Sequence, residues 1–468
     1  MPYAIDRKGM LDLAGNSAEY EFDVGAHTYT RLVYVARATN GSVRLRAWKL
    51  EADGSFTSAG NEHVVGSGTR TRIVVFDNHR IVVVWLGQNS ALRARGYIGT
   101  ANGMLEGGSV TVETTITNFD LVAVGVTTGV QQPNPDNVVY YAYRHFALTM
   151  LSANGGWKLQ LGTVLDSADV SLGPVSVGGP GDRVALSCAS LNEIVDGAHP
   201  RKALTLWRDA GQIKTRSWRV AGAGVTLLAT AAESKALGIG VVHGMSIGQN
   251  NDIFATVVWP GASNDTSRLQ LLSVAADGAM TAYATAEIAQ IPVFARLRHH
   301  GTDAAVAYRT GDGHLAVAAW RFAAPGGSGA ARTVLASKVG VEQPTQVRLA
   351  TLVPSDADDP VPIVTLSRVA AGALRLVSWR LKKTVLVVAS GPFSTTLAMA
   401  KDTLQSLAGH VGDRAMSAVA TSTRKDPVRA VLVAAGVGAV LMSLLATMAR
   451  SGARRVERRV RRRRQFWS

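Results

Sequence analysis

Cysteine is all but missing. Cys188 stands alone in 468 residues, so the chain can form neither an intrachain disulfide nor a cysteine-cluster metal site. Proline is scarce too, 15 residues against 47 glycines, and aromatics make up 6%. With no long serine or glutamine tracts, this balance argues against disorder and for an all-β chain rich in turns. The opening stretch MPYAIDRKGMLDLAGNS has no apolar run of signal-peptide length and carries Asp6, Arg7, Lys8 and Asp12. Nothing in it marks the chain for Sec export.

Acidic charge is also short, but unevenly so. Nine arginines, Arg450, Arg454, Arg455, Arg458, Arg459, Arg461, Arg462, Arg463 and Arg464, face Glu457 alone at the C-terminus, and this tail holds over half of the net +15. The rest of the chain is only mildly basic, which removes the case for a nucleic-acid footprint on the globular part.

What is present is a repeat. Alternating strands followed by turn formers recur, with Trp48, Tyr97, Thr149, Trp207, Leu272, Trp320 and Trp379 at matching positions in seven units of about fifty to sixty residues. Upstream of most markers lies a second alternating segment, such as RLVYVARA, RIVVVWLG or VPIVTLSR. Asn40-Gly41 and Asp312-Gly313 separate paired strands, while Asp53-Gly54, Asn102-Gly103, Asn154-Gly155 and Asp277-Gly278 follow the marker strand. Such pairs suit type I′ turns, so each unit reads as consecutive hairpins. With a further strand before each pair, as in RTRIVVFD and TQVRLATLV, a unit is a four-stranded antiparallel sheet. Seven of these predict a seven-bladed β-propeller over residues 1–392, because radial stacking buries both faces of each sheet. Trp48, Tyr97, Trp207, Trp320 and Trp379 are then expected to pack between blades; the alternative is a set of aromatic sugar platforms.

Leu45 to Thr57 and Leu374 to Arg380 resemble bacterial repeat proteins of unassigned function whose units read approximately LKLIAWxVSxDGxITRxGDS, and degenerate copies extend over about residues 20–391. The resemblance implies a propeller and no activity.

Candidate chemistry is sparse. GMSIG at Gly244–Gly248 fits the G-x-S-x-G nucleophile pattern, with Ser246 as nucleophile and His243 or His199 as base. That pattern requires a strand, a sharp turn and a helix, whereas loop and strand residues follow here. His299-His300 cannot clamp one metal from a strand, whose adjacent side chains diverge. Asp356, Asp358 and Asp359 lack the glycine and distal glutamate of a calcium-binding EF-hand loop. GGPGDR lacks the lysine and hydroxyl residue of a phosphate loop. No catalytic, cofactor-binding or metal-ligating residue is assigned.

Beyond residue 392 the apolar period lengthens. Leu397, Ala400, Leu404, Leu407, Val411, Ala415 and Val419 form one stripe, predicting an amphipathic helix within 393–423. Residues 424–449 follow as a basic flank and the uncharged run from Ala430 to Ala449, with Leu432, Val437, Leu441, Leu444 and Leu445 along it. Twenty such residues make a helix about 30 Å long, the depth of a bilayer core, and predict a transmembrane segment. Gly436, Gly438 and Ser443 leave a smooth face suited to pairing with a second copy. Residues 450–468 are the arginine-rich tail.

Asp426-Pro427, Ala434, Ala435, Gly438 and the following arginines, after an amphipathic helix, resemble the ElaB/YqjD-like family of bacterial tail-anchored inner-membrane proteins. This implies a single-pass anchor near the C-terminus.

The expected function is a membrane-anchored, non-catalytic binding or scaffold module with its propeller in the cytoplasm. Its partners are membrane lipid, a bound protein and a second copy through the C-terminal helices. A rival reading is a lectin or hydrolase acting on glycans at the central channel or rim, which carboxylates or arginines converging at the ring's mouth would favour. A third assigns anionic-lipid or nucleic-acid binding to the arginine tail.

Overall fold

The computed structural model describes residues 3–383, apart from 14–18, 28–30, 40, 77–78, 101–102, 125–144, 182–185, 191–200, 211, 222–223, 236–240, 247–252, 261–266, 276, 289–292, 297–302, 324–331, 353–359 and 370–372. The sheets belong to one compact unit, Met1–Val385. All are antiparallel. β1 (Tyr3–Leu13) opens the chain. Sheet 1 comprises β2 (Glu19–Ala26), β3 (Leu32–Thr39) and β4 (Ser42–Leu50), and its fourth place is shared by β5 (Phe56–Ser58) and β6 (His63–Ser67). Sheet 2 is β7 (Arg70–Val75), β8 (Arg80–Leu86), β9 (Leu92–Thr100) and β10 (Gly103–Glu113). Sheet 3 is β11 (Ile116–Val124), β12 (His145–Ser152), β13 (Gly156–Val164) and β14 (Val170–Pro180). Sheet 4 is β15 (Leu186–Ser190), β16 (Arg201–Asp209), β17 (Gln212–Ala221) and β18 (Gly224–Lys235). Sheet 5 is β19 (Val241–Ser246), β20 (Ile253–Pro260), β21 (Ser267–Val274) and β22 (Met280–Ile288). Sheet 6 is β23 (Val293–Arg296), β24 (Asp303–Arg309), β25 (Leu315–Phe322) and β26 (Arg332–Val339). Sheet 7 is β27 (Pro344–Thr351), β28 (Val361–Val369) and β29 (Leu374–Lys383), completed by β1.

Taking the fourth strand of sheet 7 from the chain's start fastens the two ends of the unit together. Asp12 of β1 accepts a forked hydrogen bond from Arg375 of β29, at 2.6 and 2.9 Å, and Arg7 of β1 pairs with the buried Glu342 carboxylate. Apolar clusters then lie between neighbouring sheets. Leu366 and Leu374 of sheet 7 meet Phe22 and Trp48 of sheet 1; Tyr34 and Leu45 of sheet 1 meet Tyr97 of sheet 2; Leu269 and Leu271 of sheet 5 meet Trp320 of sheet 6. A sheet with two apolar faces is stable only between two others, and each of these clusters is shared by two neighbouring sheets.

Trp48, Tyr97, Leu272, Trp320 and Trp379 lie on third strands, whereas Thr149 and Trp207 lie on second strands. The β-bulges identify the true equivalents. Immediately before the marker, the fourth strand carries an extra residue opposite Gly96, Leu161, Ser378 and the Ser217/Trp218, Leu271/Leu272 and Ala319/Trp320 steps; in sheet 1 the break between β5 and β6 falls there. The marker of sheet 4 is therefore Trp218, and that of sheet 3 is Gly162. A side chain at Gly162 would strike the Phe146 ring, which fills the place from β12. For the same reason Asn154-Gly155 joins the second and third strands of sheet 3 rather than following the marker.

The bulge receives the turn of the next sheet. Ser217 donates its hydroxyl to the Gly278 carbonyl at 2.7 Å and accepts the Ala229 N–H at 3.2 Å, so one hydroxyl joins sheet 4 to sheet 5 and satisfies an amide the bulge frees. Ser378 bonds the Gly54 carbonyl and the Gly9 N–H in the same way between sheets 7 and 1. Between sheets 2 and 3 the Ala168 carbonyl fills the space left by Gly96 and Gly107, where a Cβ on either would collide with it. These turns differ from the type I′ expectation. Gly54 N–H bonds Glu51 O at 3.0 Å, Glu51 N–H bonds Ser55 O at 2.9 Å, and only Gly54 takes a positive φ, of 99°. Leu165–Asp169 and Ala275–Ala279 repeat this pattern, a type I turn followed by a left-handed residue.

Candidate functional site

The first strand of each sheet is an edge strand, and the first strands of neighbouring sheets approach one another: β27 meets β2, β2 meets β7, and β7 meets β11. Their free edges face a shared space, called axial below. Alternation on β2 sends Phe22 and Val24 into the apolar cluster shared with sheet 7 and leaves Glu21 and Asp23 on the other side. The corresponding pairs are Arg70 and Arg72 on β7, Asn118 and Asp120 on β11, and Gln346 and Arg348 on β27.

These side chains bond across strand edges rather than within a sheet. Glu21 takes Arg70 on one oxygen at 2.8 Å and Arg72 on the other at 2.9 Å. Arg70 reaches on to Asn118 Oδ1 at 2.8 Å, and Arg72 lies 3.9 Å from Asp120. Asp23 accepts the Val24 and Ile73 main-chain N–H groups, each at 3.0 Å, the second being a free-edge donor of β7. Arg348 Nε stands 3.6 Å from Asp23 Oδ1. Arg348 also lies within the fields of Arg72 and of Asp120, so side chains of sheets 7, 1, 2 and 3 share one axial space.

Burial dominates the electrostatics there. Asp23 is pushed above the usual carboxylate range because lost hydration outweighs Arg348, Arg72 and its two N–H donors. Burial also weakens the proton affinity of Arg348, and the like charge of Arg72 adds to it. Arg72 goes the other way: burial acts against its charge, but Asp23, Glu21 and Asp120 together prevail and raise it. A site with donors and acceptors fixed in alternation is suited to a ligand whose groups both donate and accept.

The residues singled out in the sequence fall elsewhere. Trp48, Tyr97, Trp207, Trp320 and Trp379 are all buried. In sheets 3 and 4, Trp157, Trp207 and Trp218 surround the Arg216 guanidinium, 4.9 to 5.6 Å from each ring, so that cage is already filled. Ser246 is the last residue of β19 and pairs with Ile253 of β20. Cys188 is on β15. His199, His299, His300, Asp356, Asp358, Asp359 and the whole of 384–468, with Leu432, Val437, Leu441, Leu444, Leu445 and the tail arginines, lie outside the described residues. Among the described residues no group of three or more His, Cys, Asp or Glu is placed to hold a metal ion, and no helix is long and apolar enough to cross a membrane.

Sequence reading missed the axial residues. Their signal is a charged or amide side chain at every second position of a first strand, in EYEFD, RTR, NFD and QVR, where a strand covered on both faces should be apolar.

No family model matches the chain, and no curated protein sequence matches it. Solved structures do resemble it. The WD40 domain of Toxoplasma gondii coronin superposes with a TM-score of 0.50 at 10% identity, covering 82% of this chain and 87% of that one. AofleA from Arthrobotrys oligospora gives 0.44 at 12% identity, covering 73% and 94%. The Aleuria aurantia fungal lectin, a six-bladed β-propeller, gives 0.40 at 12% identity, covering 68% and 95%. At these identities the likeness is one of fold. Over its described residues the chain is all-β, built of antiparallel sheets of four strands, with a fifth in sheet 1, and has β-propeller neighbours.

Proposed function

We propose that the chain is a seven-bladed β-propeller acting as a non-catalytic binding module, with a glycan as the ligand of its axial site. The observation that carries this reading is the convergence of Arg348 from sheet 7 with Asp23, Arg72 and Asp120 from sheets 1, 2 and 3. A set of charges serving only to brace the ring would have every member paired. Here Asp23 is held away from its ionised form and Arg348 is poorly compensated, the perturbation expected of groups kept ready for a ligand. Vicinal hydroxyls, each both donor and acceptor, match alternating guanidinium and carboxylate groups.

The test is a glycan array probed with the full chain and with Asp120→Asn, which removes a charge at the edge of the cluster. Retention of a defined glycan set that weakens about ten-fold in the variant supports the reading. No retention by the full chain, or equal retention by both, rejects it.

Glycoside hydrolysis is a second reading, favoured by one contrast: Asp23 holds its proton to higher pH, while Glu21 and Asp120 stand around the same Arg72. Release of reducing ends from a retained glycan, lost in Asp23→Asn, would establish it.

The anchor belongs to the same proposal on sequence grounds alone. The run from Ala430 to Ala449 would tether the propeller, with Arg454 to Arg464 against anionic headgroups or nucleic acid. Alkaline carbonate strips proteins held only by electrostatics, so a protein retained on membranes after carbonate spans them, and one released does not.

A further inference from the structure

The axial arginines are not equally occupied. Arg70 and Arg72 both converge on Glu21, and Arg70 also bonds Asn118. Among the described residues Arg348 has no carboxylate within hydrogen-bond reach. Its Nε is 3.6 Å from Asp23, whose two oxygens already accept the Val24 and Ile73 N–H groups. Its Nη1 makes one long bond, 3.4 Å, to the carbonyl of its own neighbour Val347. The side chain keeps 22% of its surface exposed. A second guanidinium stands on the same face of sheet 7: Arg368, opposite Gln346 in register, lies over the Phe22 ring at 5.6 Å with Nε and Nη2 lacking acceptors.

We propose that Arg348 takes a single negative charge on the ligand, so that the glycan bound at the axis is one bearing carboxylates. The inference rests on the axial glycan reading above. A guanidinium presents parallel N–H donors that match a carboxylate, and such charge-assisted pairs are roughly twice as strong as neutral ones. Burial and the like charge of Arg72 both act against the charged form of Arg348, and an incoming anion opposes both. Glu21 and Asp120 set the upper limit on ligand charge. Burial disfavours ionised Asp23, which leaves Glu21 and Asp120 against Arg70, Arg72 and Arg348, so the space accepts one negative charge more readily than the two of a phosphate ester.

The experiment uses the full chain, purified in a polyoxyethylene detergent that carries no sugar, on an array holding neutral glycans, uronic-acid glycans and the methyl esters of the latter. Inorganic phosphate serves as competitor. The expected result is retention of the uronic-acid glycans, about ten-fold weaker for their methyl esters and for Arg348→Gln, with phosphate competing poorly. Arg348→Lys, which keeps the charge and loses the fork, should fall between and covers the case in which Arg348→Gln does not fold. Equal retention of acidic glycans and their esters, or of neutral glycans alone, overturns the inference while leaving the glycan reading intact. Displacement by millimolar phosphate also overturns it. Retention of nothing defeats both.

Discussion

The indole N–H of Trp379 donates to the Thr365 hydroxyl at 3.0 Å, and Trp218 makes the same bond to Thr205 at 2.9 Å. In both cases the acceptor stands on the second strand, two residues beyond the register partner of the tryptophan, Ile363 or Ala203. In sheet 1 that position is Val35, and the Trp48 N–H has no acceptor. Thr365→Val should therefore cost about 1–2 kcal/mol, because it leaves a buried donor unmet without changing the packing volume much. Trp379→Ala removes the whole inter-sheet contact of a fully buried ring and should cost about 3–5 kcal/mol. Urea denaturation measures both. Equal costs for the two variants would show that the polar bond, not the ring, holds sheets 6 and 7 together.

The first strand of the chain should matter more than its exposed position in sequence suggests. β1 completes sheet 7, and without it β29 becomes a free edge while the Asp12–Arg375 and Arg7–Glu342 pairs are lost. Deleting residues 1–13 should abolish cooperative unfolding or lower the midpoint severely, and the open edge should promote association. Size-exclusion chromatography and a thermal melt report on both. Full stability after the deletion would mean that the ring does not depend on this closure.

The carbonyls seated in the bulges give a sharper test. Gly9→Val, Gly96→Val and Gly107→Val each place a side chain where a neighbouring sheet's carbonyl lies, with no gain in buried apolar contact. Each should destabilise by about 1–3 kcal/mol or more. Gly41→Val puts the new side chain into open space, so its cost is only that of a positive φ, 75°, in a β-branched residue. If Gly96→Val melted like Gly41→Val, the bulge would not be an inter-sheet contact.

How much of this was legible in the sequence depended on what sets each feature. The alternation of RLVYVARA or LRLVSWRL follows from burial of a sheet's faces, so strands and their pairing could be read directly. The register of sheets 3 and 4 could not. Gly162 and Trp218 hold the marker position, but Thr149 and Trp207 sit at similar spacing on the strand before, and only the bulge beside the marker distinguishes them. The closing strand was hidden because β1 and β29 are partners from opposite ends of the unit. The axial cluster was hidden for another reason: Glu21, Arg72, Asp120 and Arg348 are far apart in sequence and meet only because first strands converge. What the sequence did show was the oddity of charge on strands that ought to be apolar.

The last prediction concerns Asp23 and pH. Its folded-state affinity for a proton is raised by burial, so the native state favours the protonated form more than the unfolded chain does. Its contribution is favourable below the ordinary carboxylate pKa and is lost as pH rises through the raised folded value. Asp12, Glu62 and Glu113 behave oppositely: their arginine and lysine partners lower them, so their contribution is present above the ordinary range and lost as pH falls through the lowered folded values. Wild-type stability should therefore decline on both sides, with Asp23 responsible for the decline toward neutral pH. Asp23→Asn carries no charge to bury and keeps one acceptor oxygen, enough for the Val24 or the Ile73 N–H but not for both. It should match or exceed the wild type at neutral pH by about 1 kcal/mol or more, flatten the neutral limb and leave the acid limb unchanged, while binding at the axis is lost. Urea midpoints of the two proteins across acid to neutral pH decide it. A destabilised Asp23→Asn at neutral pH would mean that ionised Asp23 braces the ring against Arg348 and Arg72, and the axial charges would then be structural.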